Sequence, residues 1–198
     1  MKWVLDRACA IVLLVLLAPV LLLISAIIRL ESRGPALFRQ ERVGRHGRRF
    51  RVVKFRTMVA GAEQMGAGPL VAAGDERITR VGHVLRQWSL DELPQLLNVA
   101  AGSMSLVGPR PTLSYQVEQY SPRQRRRLEV RPGITGWAQI NGRNELTWPE
   151  RIELDIWYID HWSLWLDAKI LVRTPAQVVS GRSVYTDDMS KFKVRADG

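Results

Sequence analysis

The chain opens on an apolar block. From Ala8 to Ile28 no position is charged, a run of 21 residues bounded by Arg7 and Arg29. A helix of that length reaches roughly 30 Å, one hydrocarbon thickness. Beyond it the pattern breaks into shorter units. Leu37-Phe38 and Val43 precede a turn at Gly44-Arg45-His46-Gly47, and Phe50, Val52, Val53 and Phe55 follow it. That spacing predicts a β-hairpin. Residues 57–76 are rich in Gly and Ala with few large apolar side chains, which reads as a mobile segment. Helical spacing returns at Ile78, Val81, Val84, Leu85 and Trp88. A second helix carries Leu93, Leu96, Leu97 and Val99 and ends near Gly102. Ser121-Pro122 is a helix start with proline at the first helical position. Gly133, Gly136 and Gly142 mark a loop-rich stretch. A last helical pattern runs from about Pro149 to Val179, with breaks expected near Trp162-Ser163 and Thr174-Pro175. The expected fold is α+β, mostly α: residues 1–30 form a membrane-embedded helix, 31–180 a domain with a short hairpin and interfacial amphipathic helices, and 181–198 a tail.

The apolar block admits three readings. A cleaved signal peptide wants a shorter core and a small-x-small cleavage site, and Ser25-Ala26-Ile27-Ile28 is a poor one. A simple spanning helix is the plain alternative, with the basic flank from Arg29 to Arg56 on the cytoplasmic side. The third is a re-entrant helix that returns to its own side. Pro19 lies near the middle of the run, where it removes a donor, collides with the Val15 carbonyl and kinks the helix. Both flanks are basic, Lys2 and Arg7 before and Arg29 and Arg33 after. On the residues alone, spanning and re-entrant readings stay open.

Charge sharpens the picture. The net charge of the 198 residues is +10, and residues 1–56 hold 12 Lys or Arg against only Asp6, Glu31 and Glu41. The rest carries 17 basic against 16 acidic side chains. Charge gathered around one apolar segment points to an anionic membrane surface, with Arg42, Arg45, Arg48 and Arg49 as headgroup contacts, and away from nucleic acid, which a charged folded body would serve. Hydrophobic residues make up 46%, enough for a core, and the lone Cys9 excludes an internal disulfide or a cysteine zinc cluster. Four of seven tryptophans, Trp148, Trp157, Trp162 and Trp165, fall within 18 residues, fitting either an interfacial helix or core packing.

Two motifs carry candidate chemistry. Ser89-Leu90-Asp91-Glu92 fits a Ser-x-x-Glu capping box, although Pro94 is awkward for that register. It also sets two adjacent carboxylates roughly 100° apart on a helix, where they would take different roles and could hold a divalent cation that bridges to phosphate. Gly108-Pro109-Arg110-Pro111 locks one guanidinium between two prolines, ready for a bidentate bond to phosphate or simply a rigid surface loop. The run Arg123–Arg127 reads as a solvated or lipid-facing basic face. His46, His83 and His161 have no metal-ligand spacing, and no P-loop, dinucleotide or G-x-S-x-G motif is present. The residues alone lead to a membrane-attached domain that handles phosphate with a carboxylate pair.

Taken in order, several segments resemble the bacterial sugar transferase family, the monotopic polyprenol-phosphate phosphoglycosyl transferases. They are Lys54-Phe55-Arg56-Thr57-Met58, Arg86 with Ser89 through Leu96, Met104 through Pro111, and Val130 through Trp137. Asn141-Gly142-Arg143-Asn144 and Leu166 through Ile170 complete the set. With no membrane bundle ahead of the apolar block, the chain resembles the small members. The resemblance implies transfer of a sugar 1-phosphate from a UDP-sugar to polyprenyl (undecaprenyl) phosphate, with release of UMP. It implies Mg²⁺ and a ping-pong route through a phosphosugar on an aspartate, here Asp91. Glu92 is implied as its partner in metal binding or activation. Arg110, flanked by Pro109 and Pro111, is implied to hold phosphate or nucleotide. Lys54, Arg86, Arg143 and Asp167 are implied to line the site. The resemblance also implies a re-entrant helix in the bacterial inner membrane, with the domain on the cytoplasmic face at the first membrane step of glycan assembly. A homodimer is admitted. Where that family often has Ser-Pro at the helix kink, this chain has Ala18-Pro19. Two rivals remain, a membrane-anchored binding module indifferent to Asp91 and a nucleic-acid binder.

Overall fold

The computed structural model describes residues 1–62, 65, 74–142 and 145–179. Its first element is one long helix, α1, Lys2–Glu31. Pro19 lies inside α1 without ending it, so the apolar block is one helix rather than two joined at a turn. One stripe of α1 faces the rest of the chain: Asp6, Ala10, Ile24 and Ile28 are buried, and Leu14, Leu17 and Leu21 fill the gaps between them. The steps of three and four keep that stripe on one helical face. The opposite face is bare and apolar, with Val4, Val12, Leu16, Leu22 and Leu30 all more than half exposed.

Both ends of α1 are fastened to the same body. At the start, Lys2 Nζ donates to Asp167 Oδ2 at 2.6 Å, Ser105 donates its hydroxyl to Asp6, and Arg7 donates to the Ala100 carbonyl at 3.0 Å. At the far end, Arg56 donates to the carbonyls of Ser32 and Arg33 at 2.8 and 2.5 Å, and the Val81 amide donates to Glu31 at 3.1 Å. A 30-residue helix measures about 45 Å.

The expected hairpin is present. Strands β1 (Leu37–Val43) and β2 (Arg49–Phe55) pair antiparallel from Leu37–Phe55 to Val43–Arg49 around the Gly44–Gly47 turn. Helix α2 (Arg80–Gln87) follows, capped by the Thr79 hydroxyl. A 3₁₀ turn, Leu90–Gln95, then leads into α3 (Leu96–Ala100). Sequence periodicity missed the next feature. Strand β3 (Ser105–Val107) pairs in parallel with a later strand, β4 (Gly133–Thr135). Between them stand two short helices, α4 (Ser114–Glu118) and α5 (Pro122–Arg125), the latter started by Ser121 as foreseen. The parallel pair explains the glycines. A methyl group on Gly136 would lie 2.2 Å from the Gly108 carbonyl oxygen, and one on Gly133 would lie 2.1 Å from the Gly108 nitrogen. Helix α6 (Trp137–Ile140) leads toward α7 (Trp148–Asp160), and α8 (Leu164–Val179) ends the described chain. The break at Trp162-Ser163 is confirmed, whereas Pro175 lies within α8.

Three apolar clusters join these pieces. Ala10 meets Val52, Leu96, Val99, Met104 and Tyr158. Ile24 and Ile28 meet Phe55, Leu85 and the flanking Leu90. Val43, Tyr120, Trp148, Ile152 and Ile156 form the third under the hairpin tip. The tryptophans divide accordingly. Trp148 is core, Trp157 stacks between Trp137 and His161 at centroid distances of 4.8 and 4.3 Å, and Trp165 is 79% exposed on α8. The fold is a mostly helical α+β structure with small two-stranded sheets and one long apolar helix.

Candidate active site

The carboxylate pair sits on a sharp corner. Ser89 adopts φ +53°, a left-handed conformation that a non-glycine residue rarely takes, and this turns the chain from α2 into the 3₁₀ segment. The capping-box reading fails here. The Ser89 side chain caps nothing in the segment, and the Glu92 carboxylate points instead to two cations. Lys54, near the end of β2, donates to Glu92 Oε1 at 2.7 Å. Arg110 grips both oxygens, NH2 to Oε1 at 2.6 Å and NH1 to Oε2 at 3.3 Å. The neighbouring Asp91 carboxylate makes no hydrogen bond or ion pair among the described residues, although Lys54 and Arg86 exert their fields on it.

The two acids therefore part in character. Burial pushes the Asp91 carboxyl above its ordinary range, and Glu92 adds to this while Lys54, Arg86 and Arg110 oppose it. Burial presses Glu92 upward as well, but Arg110 and Lys54 outweigh it and hold Glu92 well below the usual carboxylate range. Glu92 is a fixed anion that positions Lys54 and Arg110. Asp91 has no such partner among the described residues.

The Pro109-Arg110-Pro111 loop is strung between two anchors. Pro109 leaves β3 and its carbonyl accepts the Gly133 amide at 2.9 Å; three residues later the Thr112 carbonyl accepts the Val43 amide at 2.9 Å, at the end of β1. A buried guanidinium holds the middle. Arg127 donates to Asp155 Oδ2 at 2.6 Å, to the Tyr120 hydroxyl at 2.8 Å and to the Arg110 carbonyl at 2.9 Å. This corrects the reading of Arg123–Arg127 as one open basic face. Arg123 pairs with Glu153 and Arg126 with Asp160, but the Arg127 side chain is 3% exposed. A signal was present in the sequence: Asp155 lies on the apolar Ile152/Ile156 face of α7. A carboxylate on a buried face needs a cation.

Two further arginines border Arg110. Arg42, half-buried beside the β1 anchor, donates to Gln40 Oε1 at 2.5 Å. Burial and the nearby Arg110 pull its guanidinium down to about 10. Arg151, held by the Leu146 carbonyl and lying 5.7 Å from the Trp148 ring, is likewise lowered to about 10 by burial, Arg110 and Arg127. The sequence reading had assigned Arg42 to lipid.

Of the other expected site residues, Arg86 closes α2 and donates to Thr57 Oγ1 at 2.8 Å. Asp167 stands elsewhere, with its carboxylate taken by Lys2, the Tyr158 hydroxyl at 2.6 Å and Trp162 Nε1 at 3.1 Å. Arg143 lies outside the described residues, as does the tail 181–198. Of the pair, Asp91 is the one a divalent cation would use, since its carboxylate has no hydrogen-bond partner among the described residues while both Glu92 oxygens are engaged by cations. Among the described residues no group of three or more His, Cys, Asp or Glu side chains converges on one point. Such a site suits Mg²⁺, which binds through one or two carboxylates plus phosphate oxygens.

Asp91, without a hydrogen-bond partner among the described residues, thus stands in the fields of Lys54, Arg86 and Arg110. Comparison with known proteins identifies the family. Residues 1–181 match the model of the bacterial sugar transferase family, and the chain belongs to that family. It is 45% identical over 184 residues to the uncharacterized sugar transferase EpsL of Bacillus subtilis, covering 93% of this chain and 90% of that protein. It is 47% identical to the UDP-glucose:undecaprenyl-phosphate glucose-1-phosphate transferase of Caulobacter vibrioides, covering 93% and 72%. The undecaprenyl-phosphate galactose phosphotransferase of Salmonella typhimurium is 37% identical, with 93% of this chain and 42% of that protein aligned. By class the chain is a phosphoglycosyl transferase.

Proposed function

We propose that the protein moves a sugar 1-phosphate from a UDP-sugar to polyprenyl phosphate in two steps through Asp91. In the first step an Asp91 carboxylate oxygen attacks the β-phosphorus of the donor. The bond from that phosphorus to the bridging oxygen breaks, and UMP leaves with the electron pair. In the second step a phosphate oxygen of the lipid attacks the same phosphorus, and the Asp91 carboxylate departs. Splitting the transfer lets one pocket serve a soluble donor and a lipid acceptor in turn. Lys54, Arg86 and Arg110 surround the charge that builds on the transferring group. Mg²⁺ held by Asp91 and the donor's phosphate oxygens would neutralise the diphosphate.

The observation that carries this reading is the unequal pair: Glu92 spent on two cations, Asp91 without a partner among the described residues. Membrane attachment rests on the bare outer face of α1 together with the anchoring of both its ends on one body. The helix then lies embedded from one side, with the body on the cytoplasmic face of the inner membrane and the product entering bacterial glycan assembly.

The test omits the acceptor. Enzyme mixed with Mg²⁺ and a panel of UDP-sugars should release up to one equivalent of UMP with the right donor, and should gain a sugar phosphate on a peptide containing Asp91. Asp91→Asn should abolish both. Glu92→Gln should slow turnover severely while leaving traces of adduct. UMP release only in the presence of lipid, with no adduct, would mean direct transfer with Asp91 as base or metal ligand.

A further inference from the structure

The first turn of α1 holds an indole among arginines. The guanidinium carbon of Arg131 lies 4.2 Å from the Trp3 ring centroid, and that of Arg45 lies 4.8 Å away. Arg7, one turn further on, donates to the Ala100 carbonyl, and Arg45 donates to the Glu129 carbonyl at 2.9 Å. Among the described residues none of the three has a carboxylate within ion-pair distance. Asp6, whose charge acts on Arg131, is committed to Lys2 at 3.6 Å and to the Ser105 hydroxyl, and the Glu129 carboxylate to Arg126 at 3.4 Å. Burial and the charges of Arg45 and Arg7 hold the Arg131 guanidinium below its ordinary value against the pull of Asp6, so repulsion within the group is relieved only in part.

Position says what would relieve it. Trp3 and Arg7 flank the buried stripe of α1, at the seam between helix and body. Arg45 comes from the hairpin turn and Arg131 from the segment before β4. With the outer face of α1 in the bilayer, the reading on which this inference rests, the seam lies at headgroup depth, where indoles and long basic side chains collect. Immediately beside it Val4 is 72% exposed and Leu5 47%, an apolar surface for acyl chains. A free anion would gain nothing from that surface.

We propose that Arg7, Arg45 and Arg131, gathered around Trp3, form a binding site for the phosphate of an anionic phospholipid. Guanidinium forks match phosphate oxygens in pairs. The site shares no residue with the Asp91 pocket, and it fixes the start of α1 at the leaflet surface.

The test places the full-length protein in phosphatidylcholine bilayers with traces of spin-labelled phosphatidylglycerol or phosphatidylcholine, and compares the motionally restricted fractions. A basic side chain at an anionic surface favours the charged lipid by about fivefold at low salt. Wild type should therefore prefer phosphatidylglycerol at least about fivefold, and Arg7→Gln/Arg45→Gln/Arg131→Gln should bring the ratio close to one. Arg48→Gln/Arg49→Gln, which removes two neighbouring exposed charges, should leave the preference largely intact. If the triple variant does not reconstitute, Arg131→Gln alone should still lower the ratio at least about twofold. Embedded wild type without preference overturns the proposal. So does an equal loss in the Arg48/Arg49 variant, which would mean general basicity, or full competition by millimolar inorganic phosphate, which would mean a free-anion site. Failure to remain in either bilayer would sink the membrane reading instead.

Discussion

Replacing Arg127 with methionine separates what holds the fold from what holds the site. The methionine keeps most of the buried stem but leaves the Asp155 carboxylate, 1% exposed, without its cation. The Tyr120 hydroxyl and the Arg110 carbonyl lose a donor at the same time. Breaking one side of a buried ion pair costs about 3–5 kcal/mol. Burial already pushes the Asp155 carboxyl up against the pull of Arg127, so the acid can take a proton when the cation goes, which favours the lower end of that range. At roughly 2–4 °C per kcal/mol for a chain of this size, the melting midpoint in detergent should fall by roughly 6–20 °C. Arg127→Met/Asp155→Leu removes both charges and should recover most of the loss. It does not restore the donor to the Arg110 carbonyl, so the loop that aims Arg110 at Glu92 stays unheld. UMP release should remain down by roughly 10²-fold, the scale of a misplaced catalytic group. Full activity in the double variant would reduce Arg127 to core glue, and a single variant that melts with wild type would refute the buried pair.

Other expectations follow from the same geometry. Asp91 must be ionised to attack, and its pKa is raised with Lys54 opposing the rise; adduct formation should fall as pH drops through that raised value, and Lys54→Met should move the acid limb to higher pH, measured as the rate of the UMP burst. Gly82→Ala would set a methyl 2.1 Å from the Thr57 carbonyl oxygen, and should lower stability by about 1–3 kcal/mol in thermal melts, whereas the same change at Gly47 meets only open space and the strain of φ +75°. With both ends of α1 held on one body, an N-terminal tag should resist external protease in intact cells and be cut after lysis.

The apolar helix, the hairpin, α2 and the proline-started α5 were legible because each follows from local spacing. The parallel β3–β4 pair was not. Each strand is three residues long, too short for periodicity, and the evidence lay in Gly108, Gly133 and Gly136, whose backbones interlock across the pair. Adjacency implied that Asp91 and Glu92 would differ, and their surroundings do differ. The cause was not, because it comes from Lys54 and Arg110, brought in by the hairpin and the parallel pair. Asp167 shows the converse: its motif looked like site chemistry, yet its carboxylate joins α1 to α7 and α8 through Lys2, Tyr158 and Trp162.

That last junction bears on how a soluble domain reaches a lipid. If α1 crossed the bilayer, one of its ends would stand across the membrane from the body. Lys2 would then have to release Asp167, leaving that 7%-exposed carboxylate without its cation, or Ser32 and Arg33 would have to release Arg56, leaving that 7%-exposed guanidinium without their oxygens. A helix embedded along its outer face keeps both sets. The same helix forms the floor of the site. Ile24 and Ile28 pack in one cluster with Leu85 and Leu90, the residues just before Arg86 and Asp91. The corner that presents Asp91 therefore packs against α1, and with α1 embedded as proposed, an acceptor whose phosphate rides at the headgroup layer needs no large domain motion to reach it.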